Sequence, residues 1–221
     1  MRINKFVAQA TGMSRRAADA AVSEGRVLLN GAIATTGATV AANDKVLLDG
    51  KPLTAAPVMT ILFHKPVGYV VSRDGQGSAT IYDVLPPALH SLKPVGRLDK
   101  DSSGLLLLTN NGDLANQLTH PRYVKQKEYH VTLDAPLQPL HHQMIADRGI
   151  TLDDGLSKLG LERIDDQGKR WIVRMSEGRN RQIRRTFAAL GYTVTALHRT
   201  HFGIYQLGDI EPGEHQQAPT P

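Results

Sequence analysis

The stretch with the most chemistry in it is Gly96-Arg97-Leu98-Asp99-Lys100-Asp101-Ser102-Ser103-Gly104. It runs directly into Leu105-Leu106-Leu107-Leu108-Thr109-Asn110-Asn111-Gly112. Two acids and two bases fall within five residues, bounded by glycines. The leucine run that follows reads as a strand buried on both faces. Loops anchored on rigid strands commonly carry catalytic groups, so the acids and bases of this loop are candidates for chemistry. A solvated surface turn is the alternative that the charges alone favour. A phosphate-cradling P-loop is excluded, because the Gly-Lys-Ser/Thr ending is missing.

A second constellation is Glu177-Gly178-Arg179-Asn180-Arg181-Gln182-Ile183-Arg184-Arg185. The spacing predicts a helix over 180–190, with Asn180 as its cap, Ile183, Phe187 and Leu190 inward, and Gly191 at its end. Arg181, Arg184 and Arg185 crowd its first turns, where cations oppose the helix dipole at a cost of ~0.3–1 kcal/mol each. An anionic partner or a buried acid would offset that cost. From Arg174 through Arg199 there are six arginines and one acid, Glu177. Such a basic patch points to nucleic acid, with a solvated face as the alternative. In Lys127-Glu128-Tyr129-His130-Val131, strand alternation puts Tyr129 and Val131 on one face. Tyr129 is then a half-buried strand residue, or a ring that stacks on a base. His64-Lys65-Pro66-Val67-Gly68-Tyr69 reads as a turn after a strand, with Lys65 free to reach a phosphate.

Other chemistries fall away. The 221 residues include no cysteine, which removes disulfides, thiol nucleophiles, iron–sulfur clusters and thiolate zinc sites, and fits a reducing compartment. His141 and His142 are adjacent, and His198 and His201 have no further ligand nearby in sequence, so no metal is expected. No Gly-x-Ser-x-Gly elbow is present. No apolar run approaches the ~20 residues of a membrane span. Arg2 and Lys5 precede the first acid, Asp19, but the segment reads on into a folded motif rather than a leader. Hydrophobic content of 41% and charged content of 21% are those of a globular chain, and a net charge of +5 hints at a polyanionic partner.

Several elements must position these residues. Residues 2–10 and 14–23 read as amphipathic helices, the second capped by Ser14. Val27–Leu29, Asn30-Gly31 and Ala32–Ala34 form a hairpin pattern, and Val46–Leu48 with Asp49-Gly50 a further strand and turn. Thr54-Ala55-Ala56-Pro57 is a linker. Residues 1–56 hold seven basic and four acidic residues, far more basic per residue than the remainder, as suits a binding module. In the larger part, strands are expected at Met59–Phe63, Tyr69–Ser72, Leu105–Thr109, Tyr129–Leu133, Trp171–Met175 and Thr193–Leu197. Helices are expected near 112–119, 137–147 and 180–190. Without a regular strand–helix–strand period, this is α+β rather than doubly wound. The division is therefore 1–56, 57–212 and a flexible tail, 213–221.

Taken together, these motifs make the chain resemble the RsuA/RluB/RluE/RluF group of ribosomal RNA pseudouridine synthases along nearly its whole length. Residues 96–112 match the group's Gly-Arg-Leu-Asp signature and the leucine run after it, 127–131 its Lys-x-Tyr-x-Val strand, and 177–185 its Glu-Gly-x-x-x-Gln-Ile-Arg-Arg helix start. Residues 2–50 resemble the alpha-L RNA-binding motif of a ribosomal small-subunit protein, through Ser14-Arg15-Arg16, Gly25-Arg26-Val27 and Asn30-Gly31. Ser102 replaces the group's usual Thr, and Asn111 its usual Asp.

The resemblance implies a mixed, largely antiparallel catalytic domain. It implies Asp99 as the essential carboxylate, Arg184 as its ion-pair partner, Tyr129 stacking on the base, and Ile183 lining the pocket. Arg97, Lys65, Arg181 and Arg185 would contact substrate. Arg2, Lys5, Ser14, Arg15, Arg16 and Arg26 would serve RNA binding in the first module. Asp101 is assigned no role. The implied reaction needs no cofactor. The implied setting is a cytoplasmic monomer acting on ribosomal RNA, free or within a pre-ribosomal particle. Large-subunit RNA is favoured by Arg179-Asn180-Arg181 and Leu197-His198-Arg199-Thr200. A non-catalytic RNA-binding assembly factor is the competing reading, and a small-molecule enzyme with a basic surface a third.

Overall fold

The computed structural model describes residues 1–219, apart from the Pro121 side chain. The chain divides between Met59 and Thr60 into two compact units. In the first, α1 (Ile3–Thr11) and α2 (Arg15–Ser23) precede four short strands, β1 (Val27–Leu29), β2 (Ala32–Ile33), β3 (Val46–Leu48) and β4 (Lys51–Leu53). The strands form an antiparallel sheet in the order β2-β1-β3-β4. Gly12 takes φ 77° to end α1, and Asn30 and Gly31 take positive φ in the β1–β2 turn. Ser14 Oγ accepts from the Ala17 amide at 3.0 Å. On α2, Ala18, Ala21 and Val22 meet Ile3, Val7, Val27 and Val46 in the core, while Ala17, which the spacing puts on the same apolar face, stays exposed.

The second unit is built on one mixed sheet. Its strands are β5 (Thr60–Lys65), β6 (Lys93–Val95), β7 (Ser103–Thr109), β8 (Lys127–Leu133), β9 (Ile150–Leu152), β10 (Gly155–Ser157), β11 (Gly160–Arg163), β12 (Arg170–Met175), β13 (Val194–Phe202), β14 (Tyr205–Gln206) and β15 (His215–Gln217). The main path runs β11-β12-β8-β13-β7-β5-β15, with β6 and β14 paired off it and β9–β10 a separate hairpin. On this path β13 and β7 pair in parallel, while the other neighbours are antiparallel. Strand alternation sends Leu106 and Leu108 into one core with Tyr129, Val131, Val173, Ile183 and Phe187. It sends Leu105 and Leu107 into another with Leu62, Val95 and Phe202. The leucine run is buried on both faces because each face has its own core. Helices α3 (Gly112–Thr119), α4 (Pro139–Gln143) and α5 (Gln182–Ala188) complete the unit.

Four expectations are corrected. Tyr69–Ser72 is no strand: Val70 makes a single bridge to Thr80, and the polar, Gly-rich run after it turns back at once. The helix expected over 137–147 is a short α-helix followed by a π-helical turn, Met144–Arg148. The third helix begins two residues late. Asn180 does not cap it; Arg181 holds the cap position at φ 44° without a side-chain cap bond. The tail is not loose throughout, since β15 pairs with β5 through Gln216 and Leu62 and covers an otherwise open sheet edge. Thr220 and Pro221, in the expected flexible tail, lie outside the described residues.

Candidate active site

Asp99 sits in the loop between β6 and β7, and sequence-local forces shape that loop. Gly96 takes φ 74° to leave β6, and Leu98 is buried in the core. The Ser102 amide then donates to the Asp99 carbonyl at 3.1 Å, closing a tight turn that leaves the Asp99 side chain 34% exposed. Gly104, at φ 106°, lets β7 lie against β13: a Cβ there would overlap the Arg199 backbone. From beneath, Lys65 Nζ donates to the carbonyls of Ser102 at 2.7 Å and Pro66 at 2.9 Å.

That placement corrects the reading of Lys65 as a phosphate contact. Its side chain is fully buried. Burial pushes its pKa down to about 8, against the opposing pull of the Asp99 and Asp101 charges. Lys65 braces the loop from within.

The loop opens on a cavity of about 620 Å³, a size suited to a nucleotide-scale ligand. Tyr129, Ile183, Leu197, Met175 and Phe202 give it apolar walls, and Asp99, Arg97 and Arg181 reach it as charged groups. Tyr129 lies on β8 opposite Val173 and Arg199 on the flanking strands, with its body buried. Ile183 sits in the first turn of α5 and is buried. A carboxylate beside an apolar slot can hold a flat base against its walls while the acid attacks, or takes a proton from, the attached sugar.

The arginines sort differently from expectation. Arg184 does not pair with Asp99. It donates to the Asp101 carbonyl at 2.9 Å and the Val194 carbonyl at 2.7 Å, and lies 3.3 Å from the Asp101 carboxylate. Asp99 instead meets Arg181 at 3.5 Å, and Arg181 is itself held by both Asp101 oxygens, at 3.1 and 3.0 Å. The Arg181 hydrogen bond holds the Asp101 carboxyl below the usual range. Arg185 turns away from the cavity to Asp153 and, at 2.5 Å, Asp154; it is no substrate contact here. Arg179 reaches Asp154 at 2.6 Å. The cations at the start of α5 are therefore balanced by acids from two other loops.

Sequence reasoning passed over Asp101, which ties the Asp99 loop to α5. The arginine surplus around 181–185 signalled that an acid was needed but not which one. It also gave no role to Arg199, whose side chain is buried in the cavity wall. Arg199 Nε donates to the Leu105 carbonyl at 2.8 Å, and its guanidinium lies 4.9 Å from the Phe202 ring centre. Its position two residues past Leu197 is a readable sign, because alternation puts both on one face. His198 and His201 do not face together: His198 bonds Ser103 at 2.9 Å and His201 approaches Glu128 at 3.1 Å.

In the first unit, Arg15 and Arg16 are exposed on the opening turn of α2, and Arg2 is exposed just before α1. Lys5 is half-buried within α1. Ser14 is occupied as a helix cap, and Arg26 is engaged by Asp49 at 2.8 and 2.6 Å. Among the described residues no group of three or more His, Cys, Asp or Glu is placed to hold a metal, and no helix is long and apolar enough to cross a membrane.

The RNA pseudouridylate synthase family matches residues 59–189, and the S4 domain matches residues 1–46. The chain is 38% identical over 220 residues to a Xanthomonas campestris protein named ribosomal large subunit pseudouridine synthase B, covering 93% of this chain and 44% of the relative. It is 34% identical over 223 residues to a Pasteurella multocida protein named ribosomal small subunit pseudouridine synthase A, covering 98% of this chain and 95% of the relative. The chain thus spans less than half the length of the Xanthomonas relative. A crystal structure of a pseudouridylate synthase superposes with a TM-score of 0.70 at 33% identity, covering 99% of this chain and 96% of that one.

Proposed function

The chain belongs to the RNA pseudouridylate synthase family, and from that premise we propose that it converts one uridine of ribosomal RNA to pseudouridine. The observation that carries this reading is the Asp99 carboxylate at the edge of a slot walled by Tyr129 and Ile183. The reaction breaks the bond from uracil N1 to sugar C1′, turns the base, and joins C5 to C1′. The C5 proton is lost and N1 gains one, so atoms balance without a cofactor, metal or redox partner. The target base leaves its stack to enter the slot. Tyr129 stacks on it, Ile183 closes the apolar side, and Asp99 acts at the sugar as nucleophile or base. Arg97 and Arg181, exposed at the cavity mouth, serve the flanking phosphates. Arg184 acts through Asp101 and the loop it holds.

Large-subunit RNA is the favoured target. The relative at 38% identity carries a large-subunit name and that at 34% a small-subunit name, and residues 179–181 and 197–200 lean the same way. The first unit contributes affinity through Arg2, Lys5, Arg15 and Arg16, raising the effective concentration of the catalytic unit at its site. The protein works as a monomer in the cytoplasm, on ribosomal RNA or a pre-ribosomal particle. Large- and small-subunit RNA made with tritium at uridine C5 test this. Release of one tritium per large-subunit molecule is expected. No release from either RNA, free or in particles, would leave an RNA-binding assembly factor as the better account.

A further inference from the structure

The chain between α3 and β8 forms part of the cavity wall, and it is built at odds with ordinary preferences. Val124 lines the cavity with φ 38° and with 67% of its surface exposed. A β-branched side chain in the left-handed region clashes with its own backbone, where glycine or asparagine would fit easily. An aliphatic side chain that far exposed gains nothing from a core. Its neighbours hold the segment in shape. The Arg122 guanidinium lies 4.4 Å from the Tyr123 ring centre, and the Tyr123 ring meets His120 edge-on at 6.1 Å. The Tyr123 amide donates to the His120 carbonyl at 3.0 Å. Lys125 and His120 line the same cavity. An apolar tip is thus presented at a nucleotide-sized opening, beside basic groups suited to phosphates.

We propose that Val124 is the apolar wedge of this site, entering the stack that the target uridine vacates and so keeping the flipped base in the slot. A base that leaves its stack uncovers the apolar faces of its neighbours, and an aliphatic side chain can cover them. The backbone strain persists because it aims that side chain outward. The proposal rests on the reading of the chain as a uridine-isomerising enzyme.

Val124→Gly and Val124→Asn both suit the left-handed backbone and both remove the wedge. Single-turnover rates at saturating RNA are measured on two unmodified transcripts carrying the mapped target. One keeps the native pairing, and the other lacks the nucleotide facing the target, so that the uridine is already unstacked. Both variants are expected to melt at or above the parent temperature and to bind the native transcript within about threefold. They should convert it about tenfold more slowly or worse, and recover to within about threefold on the unstacked transcript. Parent-like rates on the native transcript would overturn the proposal. So would a defect equal on both transcripts, or unfolding of both variants. A parent protein that converts neither transcript would instead overturn the functional reading, and the proposal with it.

Discussion

Asp99 and Asp101 stand two residues apart on one loop but divide the work. Asp101 takes the closer hold on Arg181 and also reaches Arg184, which leaves Asp99 with a single longer contact and an open side toward the cavity. Asp101→Asn removes the charge that fixes two arginines at the mouth. It should slow conversion about tenfold while RNA affinity holds or rises, since one negative charge is lost near phosphate; a parent-like single-turnover rate would refute this. Arg184→Ala should likewise cost rate more than affinity, and Arg185→Ala, which loses its contacts to Asp153, Asp154 and the Asn180 carbonyl, should change neither beyond about twofold. Filter binding and single-turnover assays distinguish the two arginines. Asp99, Tyr129 and Ile183, singled out through the motifs of the resemblance, line one cavity. Asp101 was not singled out, because its partners lie 80 and 83 residues away, where no local pattern reaches. Lys65 was misread for a related reason: a lysine beside a Pro-Gly turn is ordinarily exposed, and its burial follows from strands that pair with β5 from distant parts of the chain.

At the scale of elements, the loop is set by how β7 enters the sheet. Gly104→Ala would push a methyl group into the Arg199 backbone at the parallel β7–β13 pair, and should destabilise the fold by about 2 kcal/mol or more, read as a fall in melting temperature. Lys65 makes stability depend on pH. Its folded pKa of about 8 lies below the model-compound value of 10.5, so between those values the unfolded chain binds more protons. The contribution of this group therefore rises with pH across that window and is lost as pH falls through about 8. Melting temperatures of the parent and of Lys65→Met should shift in the parent's favour from pH 7.5 to pH 10; a constant difference would contradict the buried, depressed ammonium. The hairpin at Asn30-Gly31 and the helices of the first unit could be read in advance, because turn chemistry and period act locally. The β15 pairing could not: a tail rich in Pro and Gln looks loose, and only the open edge of β5 gives it a place.

For the whole molecule, the duties proposed for the two units can be read by separate measurements. The first unit exposes Arg15 and Arg16 at the start of α2, where cations oppose the helix dipole and an RNA phosphate would relieve them. Replacing both with alanine should weaken RNA binding and lower the slope of log affinity against log salt by about 0.7 for each arginine, with the rate at saturating RNA unchanged. An unchanged slope would remove those residues from the interface. The central claim is that Asp99 makes pseudouridine at one uridine, with large-subunit RNA as its substrate. The most direct test treats unmodified large- and small-subunit RNA with the parent protein and with Asp99→Asn, then maps pseudouridine by carbodiimide labelling and primer extension. One new stop on large-subunit RNA that vanishes with Asp99→Asn is the predicted result. A stop that survives Asp99→Asn, or no stop on either RNA with binding intact, would contradict the account.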